Sequence, residues 1–538
     1  MAKVTKNYVM LPWLKGLDTD TDEAIMQFLK KADHLVEAND VVFAVDGSKV
    51  KRDGYIYHDT AAITNTPSLV GGFDYWANVS SVKSQKIVAC DNQATAKFWY
   101  QPGAGGAWTE LTKHADATAP TALKRVCFEV FNDDLIMAVT DSNVAGRPPL
   151  KWDNQTGTEY QALGGSPPNV KYIRKHQGRM WAAGDPARPD RIYFSTPGNH
   201  EEWGGVGDSG AMDIDPGDGD SSGITAIFPS FRGVLFVCKA NAIYRVTGTT
   251  PIDYKIEQIT SGLGCNSHNS AIAVDMDDIY FQSERGFHSL VLTQKYGDFE
   301  GAFLSQSVQS QFLQLDVLHK PFVQGCWIPS LNSVVWNGSV NGSSMDIMWL
   351  YDVRFKAWYK WSGVNPQCVF RVEDATTKIK RAYFGNTAGR LSKTQNTGIH
   401  HDYTNTIITQ QVKTPFIFPD NNPRTEKAFK KLGVWIKMPE GETLLATIRL
   451  AGVNSTQELE FTSTSSGTPK LGVDFILGES LLNASGVLRM TPYTLPMDGV
   501  GSSVQIDFTN ATLDSYCAIF GFWLEYEDAG DKQETVGH

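Results

Sequence analysis

The chain has 538 residues, of which 41% are hydrophobic and 20% charged, and its formal net charge is −11. This length allows three or four average domains or fewer large β domains, and the composition is that of a protein with a hydrophobic core. The negative charge argues against a protein that grips nucleic acid, because basic contacts to phosphate supply most of the affinity of such proteins.

The aromatic and glycine content indicates a β protein. Aromatic residues make up 11% of the chain, and there are 48 glycines. Such a composition favours short strands joined by tight turns. The 7 cysteines are widely spaced and form no CxxC pair, so we expect buried free thiols rather than a disulfide framework.

Neither a signal peptide nor a membrane-spanning helix is expected. The N-terminal residues contain no apolar segment of signal-peptide length, and no run of about 18 apolar residues occurs. We therefore expect synthesis in a host cytoplasm and no insertion into a membrane.

The first predicted element is a short helix within an N-terminal arm, residues 1–40. Apolar residues fall at positions 24, 25, 28, 29, 32, 35 and 36, which is helical spacing. Acidic residues at positions 20, 22 and 23 precede them, where the helix dipole favours negative charge.

Residues 41–402 carry strand-like runs bounded by Gly, Asp, Asn or Pro, which predict a β-propeller. The aromatic centres Tyr193, Tyr244 and Tyr280 are 51 and 36 residues apart. An irregular period of this size with about four strands per unit is typical of propeller blades. The units begin near residues 72, 125, 171, 224, 268, 320 and 367, which predicts about seven blades within a range of six to eight. We expect the strands at 41–60 to close the ring with the last unit.

The hydrophobic pattern changes after residue 402. Residues 403–528 contain runs of strictly alternating apolar and polar residues, such as "LLATIRLAG" and "SSVQIDFTN". This alternation is typical of half-buried antiparallel strands and predicts a C-terminal β-sandwich domain. Residues 529–538 form a polar tail. The predicted fold is thus all-β: an irregular β-propeller followed by an antiparallel β-sandwich.

One acidic loop is a candidate site. The stretch "DIDPGDGDSSGIT" contains four acids that we expect to face a channel or a neighbouring subunit: Asp213, Asp215, Asp218 and Asp220. Asp218, Asp220 and Ser222 also match the first half of a calcium loop. The position that should hold the closing Glu is Pro229, so no metal or other cofactor is predicted.

The sequence contains no motif of an enzyme active site, and no catalytic residue is predicted. Two alternatives stay open. One is a glycan- or receptor-binding propeller on a phage or cell surface. The other is a propeller glycoside hydrolase with a sialidase-like cluster of arginines, for which the candidates are Arg174, Arg179, Arg188, Arg191 and Arg232.

Two segments resemble a known family. The first, residues 14–55, opens with Gly-Leu, has an Asn before an apolar strand and ends in "KRDGY". In the second, "GDGDSSGIT" precedes an apolar strand and "KANAIYRVTG", and "GLGC" and "IYFQSERGFHSL" follow. This order resembles the β-propeller proteins of short-tailed (podovirus-type) phages known as tail nozzle or packaged-DNA stabilisation proteins. The likeness is clear over residues 14–305 and looser beyond.

The resemblance implies a structural virion protein rather than an enzyme. Such a protein forms a ring, commonly of six copies, below the portal and its adaptor. It makes the lower tail channel, retains packaged DNA and conducts it during ejection, and tail fibres or a tip plug attach to it. An acidic chain suits a channel that double-stranded DNA passes without specific binding. Ring closure needs an interface between copies, for which the aromatic candidates are Trp76, Trp99, Trp108 and Trp152.

Overall fold

The structure is a computed structural model. It describes residues 5–10, 13–143, 145–205, 207–217, 222–275, 277–291, 303–394, 398–451, 456–463 and 491–531. Among these residues, no helix has the length and apolar character needed to cross a membrane.

Strands make up most of the regular structure, and they are numbered here in chain order. The first strands are β1 (Lys6–Met10), β2 (Glu37–Asn39), β3 (Val41–Phe43), β4 (Lys49–Lys51) and β5 (Tyr55–Tyr57). Those up to residue 261 are β6 (Leu69–Val79), β7 (Val82–Asp91), β8 (Phe98–Pro102), β9 (Thr109–Lys113), β10 (Arg125–Phe131), β11 (Asp134–Thr140), β12 (Leu150–Trp152), β13 (Glu159–Ala162), β14 (Tyr172–His176), β15 (Arg179–Asp185), β16 (Arg188–Phe194), β17 (Gly210–Asp213), β18 (Ala226–Ile227), β19 (Leu235–Cys238), β20 (Ala242–Thr247) and β21 (Lys255–Ser261). Those up to residue 413 are β22 (Ile272–Val274), β23 (Asp278–Gln282), β24 (Phe287–Ser289), β25 (Gly325–Ile328), β26 (Ser333–Gly338), β27 (Ile347–Asp352), β28 (Ala357–Trp361), β29 (Cys368–Glu373), β30 (Lys380–Gly385), β31 (Leu391–Thr394), β32 (His401–Asp402), β33 (Thr406–Ile407) and β34 (Gln410–Lys413). The last are β35 (Thr425–Lys437), β36 (Thr443–Leu450), β37 (Thr456–Thr462), β38 (Thr491–Pro496), β39 (Val500–Gly501), β40 (Val504–Asn510) and β41 (Ala518–Asp531).

Helical structure is sparse in the described part of the chain. One α-helix, α1, covers Gln309–Leu313, and short 3-10 helices cover His268–Ser270, Gln306–Val308, Lys320–Phe322 and Pro329–Leu331. The helix predicted over residues 20–36 is wrong, because this segment forms consecutive turns. Long-range contacts hold it: the Lys31 ammonium donates to Asp18 at 2.6 Å, and the Phe416 N–H donates to the Glu23 carbonyl.

The chain divides into two compact units. The sandwich unit comprises residues 1–56, 351–363 and 395–538, and the propeller unit comprises residues 57–350 and 364–394. This division does not repeat the predicted boundaries at 40/41 and 402/403. Strand pairing is the physical reason, because β3 pairs with β4 and β4 pairs with β41 near the C-terminus. Residues 41–51, which we expected to close the propeller ring, therefore belong to the sandwich unit.

The propeller unit consists of successive groups of antiparallel strands, as predicted. Among its described residues the groups are β6–β9, β10–β13, β14–β17, β18–β21, β22–β24, β25–β27 and β29–β31. A parallel pairing of β9 with β13 joins the first two groups into one eight-stranded sheet. Neighbouring groups share buried hydrophobic clusters, such as the one that joins Met180 in β15 to Ile136 in β11. The last group returns to the first, since Phe370 in β29 and Leu69 in β6 lie in one cluster. This closure makes the unit a β-propeller, while the number of blades stays a prediction.

A repeated turn opens these sheets. The first two strands of four groups are joined by two residues that both have positive φ: Ser80–Ser81, Asn132–Asp133, Gln177–Gly178 and Arg232–Gly233. Two-residue hairpin turns of this kind match the right-handed twist of the strands they connect. The repeat therefore follows from backbone conformation, although the residue types differ from group to group.

Two large sheets and the two-stranded sheet β32–β33 lie in the described part of the sandwich unit. One has the order β3-β4-β41-β35-β38, with β1 paired to β41 and β39 to β35. The other brings together β28, β2, β34, β40, β36 and β37 in that order. Trp13 is fully buried, and its ring lies 6.2 Å from Phe508 of one sheet and 5.6 Å from Phe522 of the other. The two sheets thus share a hydrophobic core, which confirms the predicted β-sandwich.

Candidate functional site

The described acids of the predicted acidic loop are held by contacts within the propeller unit. Asp213 ends β17 and accepts hydrogen bonds at 2.6 and 2.7 Å from Nε and Nη2 of Arg191 in β16. These bonds lower the pKa of the Asp213 carboxyl below its usual value. Both side chains remain partly exposed. The pair therefore lies across the β16–β17 ladder, as cross-strand ion pairs do.

Asp215 faces the neighbouring sheet. Its carboxylate accepts a hydrogen bond from the Tyr244 hydroxyl at 3.3 Å, and its backbone carbonyl accepts one from the Lys239 ammonium at 3.2 Å. Lys239 is fully buried and also pairs with Asp190 at 2.8 Å. The Asp215 carbonyl thus supplies a hydrogen-bond acceptor to a buried cation, a role that the sequence did not suggest.

Part of the predicted loop is not described. Asp218 and Asp220 lie outside the described residues, so the calcium candidate is not tested. The Ser222 hydroxyl accepts a hydrogen bond from the Ala240 N–H at 3.2 Å and donates one to the Gly223 carbonyl at 3.3 Å. Within the described residues, no group of three or more acids, histidines or cysteines is arranged as metal ligands. Whether the loop faces a channel or another subunit stays a prediction.

The predicted arginine candidates have separate environments. Arg179 is buried and donates to the carbonyls of Ser195 and Asp208, while Arg191 pairs with Asp213. Arg232 is exposed and donates to the Asp277 carbonyl at 3.4 Å. Of the five candidates, only Arg174 lines the central cavity of the propeller unit.

The four tryptophans predicted as contacts between copies lie in different environments. Trp99 and Trp152 are buried in the propeller core. Trp108 is half-buried, and its indole N–H donates to Asp59 at 3.2 Å. Trp76 is half-buried and lines the central cavity. Whether Trp76 or Trp108 contacts another copy stays a prediction.

One ion cluster in the sandwich unit was missed by sequence reasoning. Nε of Arg52 donates to Asp40 at 2.6 Å, and its two terminal nitrogens donate to Asp402 at 2.8 and 2.7 Å. One terminal nitrogen also donates to the Ser362 carbonyl at 2.9 Å, and the guanidinium lies over the Tyr55 ring. All three charged side chains are at most 4% exposed. The only sequence signal is "KRDGY", whose Arg lies 350 residues from Asp402.

The first strands of the propeller sheets surround a concave site, the central cavity of the propeller unit. Its volume is about 500 Å³. The first strand of most sheets contributes to its wall: β6, β10, β14, β22, β25 and β29, with Pro229 just after β18. Ligand sites of proteins are usually concave and of a few hundred cubic ångströms, so this cavity is the candidate functional site.

Aromatic rings form much of the cavity wall. Phe128, Trp327 and Phe370 are almost completely buried beside it. Phe73 stacks on Phe128 with 5.5 Å between ring centroids, and the Trp327 indole N–H is fixed by Asp275 at 3.1 Å. These contacts fix the orientation of two of the rings in the wall.

Charged groups complete the wall. The acids are Asp74 and Glu373, and the bases are Arg174, Arg371 and Lys380. Burial raises the pKa of Asp74 above its usual value. Cys326 also lines the cavity, and burial raises the pKa of its thiol to about 12, so it is protonated near neutral pH. The wall therefore offers hydrogen-bond donors and positive charge beside two carboxyl groups.

Comparisons with known proteins concern the fold alone. No family model matches the sequence, and no curated protein matches it. One similar structure is the extracellular domain of a one-component system from B. thetaiotaomicron, with 11% identity over 77% of this chain and 48% of that chain, and a TM-score of 0.41. An exo-β-1,3-galactanase from Phanerochaete chrysosporium is 11% identical over 88% of this chain and 100% of that chain, with a TM-score of 0.26. YCF48 bound to D1 peptide is 10% identical over 64% of this chain and 97% of that chain, with a TM-score of 0.33.

The match spans about half the length of the first of these structures. The closed series of sheets described above makes the chain a β-propeller protein with a β-sandwich unit.

Proposed function

We propose that this protein is a structural component of a short-tailed phage virion, the nozzle that forms the lower tail channel. It assembles as a ring, commonly of six copies, below the portal and its adaptor. The ring retains the packaged double-stranded DNA and conducts it during ejection. The proposal starts from the sequence likeness over residues 14–305.

The observation that carries the proposal is that basic residues of both resembling segments form buried ionic contacts. In the first segment, Arg52 of "KRDGY" forms the buried ion cluster with Asp40 and Asp402. In the second, Lys239 is buried and holds Asp190 and the carbonyl of Asp215. Residues that serve rigidity are what a channel under the pressure of packaged DNA requires.

Charge supports passage without binding. The chain carries 59 acidic and 48 basic residues. Several basic side chains are paired with acids, as in Arg191–Asp213 and Lys239–Asp190. Basic groups that acids neutralise attract DNA phosphates less strongly. We expect no retention of double-stranded DNA at physiological salt, measured by electrophoretic mobility shift.

Ring formation is the direct test. Native mass spectrometry and electron microscopy of the purified chain should show one closed ring of fixed copy number. Antibody against the chain should label the tails of virions. A monomer that cleaves or retains glycans would contradict the proposal and favour the alternatives.

An exposed apolar segment offers a variant for this test. Leu313, Val317 and Leu318 are 62%, 72% and 77% exposed within six residues of the propeller unit. Apolar groups this exposed are typical of contact surfaces between proteins. If copies meet here, Leu318→Asp should shift rings to smaller species. Ile252→Asp is the control, because Ile252 is 99% exposed at a different turn of the same unit. Equal effects of the two variants would exclude this segment as the interface.

A further inference from the structure

We propose that the central cavity of the propeller unit binds a small organic anion through the guanidinium groups of Arg174 and Arg371. This inference is independent of the proposed virion role. It rests on which charges in the cavity wall already have partners and which do not.

The acids of the wall are occupied. One carboxylate oxygen of Asp74 accepts a hydrogen bond from the Gln85 amide at 2.7 Å, and the other accepts the Glu373 N–H at 2.9 Å. The Glu373 carboxylate lies 3.8 Å from the Lys378 ammonium and 3.9 Å from that of Lys380. Neither acid is therefore available to neutralise an arginine across the cavity.

Arg371 has a free guanidinium. It lies in β29, on the first strand of its sheet, and its side chain is exposed to the cavity. Among the described residues it makes no hydrogen bond and no ion pair. A guanidinium carries five N–H donors in a planar fork that matches carboxylate and phosphate oxygens.

The guanidinium of Arg174 is nearly as available for binding an anion. Its Nε donates to the Ile227 carbonyl at the long distance of 3.4 Å, and within the described part of the chain its terminal nitrogens have no ion pair. Glu129 interacts with it electrostatically without forming an ion pair, and burial raises the pKa of the Glu129 carboxyl. The cavity wall thus holds two arginines whose positive charge is not matched by a bonded acid.

The cavity wall also carries aromatic rings, among them Phe73, Trp76 and Trp327. A flat aromatic wall suits the apolar face of a sugar or another ring. A cavity of about 500 Å³ is large enough for a ligand of monosaccharide size. The ligand chemistry is therefore a compact molecule with a carboxylate or a phosphate group.

Binding can be measured by isothermal titration calorimetry at low ionic strength with three probes. Glucuronate represents a carboxylated sugar, glucose is its neutral match, and inorganic phosphate represents the phosphate group alone. We expect at least one of the two anions to bind with millimolar affinity or better, and glucose not to bind. Glucuronate alone would identify a sugar acid, and phosphate alone would identify a phosphate ester or free phosphate.

Matched variants locate the site. Arg371→Gln and Arg174→Gln should each weaken anion binding by about tenfold or more, since each removes charge-assisted hydrogen bonds. Arg232→Gln is the control, because Arg232 is an exposed arginine of the same unit that does not line the cavity. Arg371→Lys keeps the charge without the fork and should lose part of the affinity.

Three results would overturn the inference. These are no binding of either anion, glucose binding as tightly as glucuronate, and an equal loss of affinity in Arg232→Gln and Arg371→Gln. Near-ultraviolet circular dichroism of every variant must match that of the wild-type protein, which separates loss of the site from loss of the fold. The ring assay above is unaffected by these outcomes, so the two proposals fail separately.

Discussion

Replacing Arg52 by Met tests the buried ion cluster of the sandwich unit. Arg52 and Asp402 are 1% and 2% exposed and share two hydrogen bonds, and Asp40 adds a third. Methionine fills a similar volume but leaves two buried carboxylates without their cation. Breaking a buried pair in this way costs about 3–5 kcal/mol, because the remaining charge stays desolvated.

A surface pair of the same unit provides the control. Lys431 and Glu525 lie opposite each other on β35 and β41 at 2.9 Å, with side chains 50% and 25% exposed. Solvent screens such a pair, so Lys431→Met should cost about 1 kcal/mol or less. Because both substitutions replace a basic residue by Met, the difference between their stability losses reports the effect of burial.

Urea unfolding, monitored by hydrogen exchange of the β41 amides, measures the stability of the sandwich unit. With a denaturant slope of about 3 kcal/mol/M, the Arg52→Met midpoint should fall by about 1–1.7 M. Adding Asp40→Asn and Asp402→Asn to Arg52→Met should recover part of this loss, because the uncompensated charges are removed. If Arg52→Met and Lys431→Met unfold at the same midpoint, the assignment of stability to the buried cluster is refuted.

Two further predictions concern the propeller unit, and a third concerns the cysteines of both units. Four buried histidines of the propeller unit are His58, His176, His268 and His288. Burial lowers the pKa of three of them to about 4 and that of His268 further, so they stay neutral in the fold. The unfolded state takes up protons first, so stability is complete above about pH 6.5 and falls toward pH 4, by about 1.4 kcal/mol per group at pH 5.5. A thermal midpoint that stays constant over this range would disprove the assignment. Gly165→Ala should lower the free energy of unfolding by about 3 kcal/mol or more, because the new Cβ would lie 1.6 Å from the Glu201 carbonyl oxygen at a φ of +74°. Gly157→Ala should lower it by about 1 kcal/mol, because only the φ of +66° opposes this change. Equal thermal midpoints of the two variants would contradict the steric argument. All 7 cysteines are buried, so Ellman's reagent should react with none of them quickly in the native protein and with all of them in urea. A fast native phase would reveal an accessible thiol.

The sequence alone determined the fold class and the series of sheets. Strand-like runs bounded by turn residues predicted units that begin near residues 72, 125, 171, 224, 268, 320 and 367, and a sheet group of the propeller unit starts close to each. These signals are local, because alternation and turn residues act within a few positions of each other. The alternating runs after residue 403 predicted the sandwich strands for the same reason.

Tertiary structure decided which distant segments meet. Lys51 and Arg52 lie on or beside a strand that reads like the start of a propeller, yet β4 pairs with β41 in the sandwich unit. The helical spacing at residues 24–36 was overridden, since a short isolated helix is marginal and long-range bonds to Asp18 and from Phe416 favour turns. No window of sequence contains both partners of such contacts.

The candidate site shows the same limit. Arg174 and Arg371 are 197 positions apart in the sequence and became wall residues of one cavity only because the sheets close into a ring. The acidic loop, by contrast, was visible in the sequence. The pairing of Asp213 with Arg191 and the bond of the Asp215 carbonyl to the buried Lys239 were not. Residue type predicts which groups need partners, while the closed ring of sheets decides which partners they receive, because burial and distance are set by packing between segments far apart in the chain.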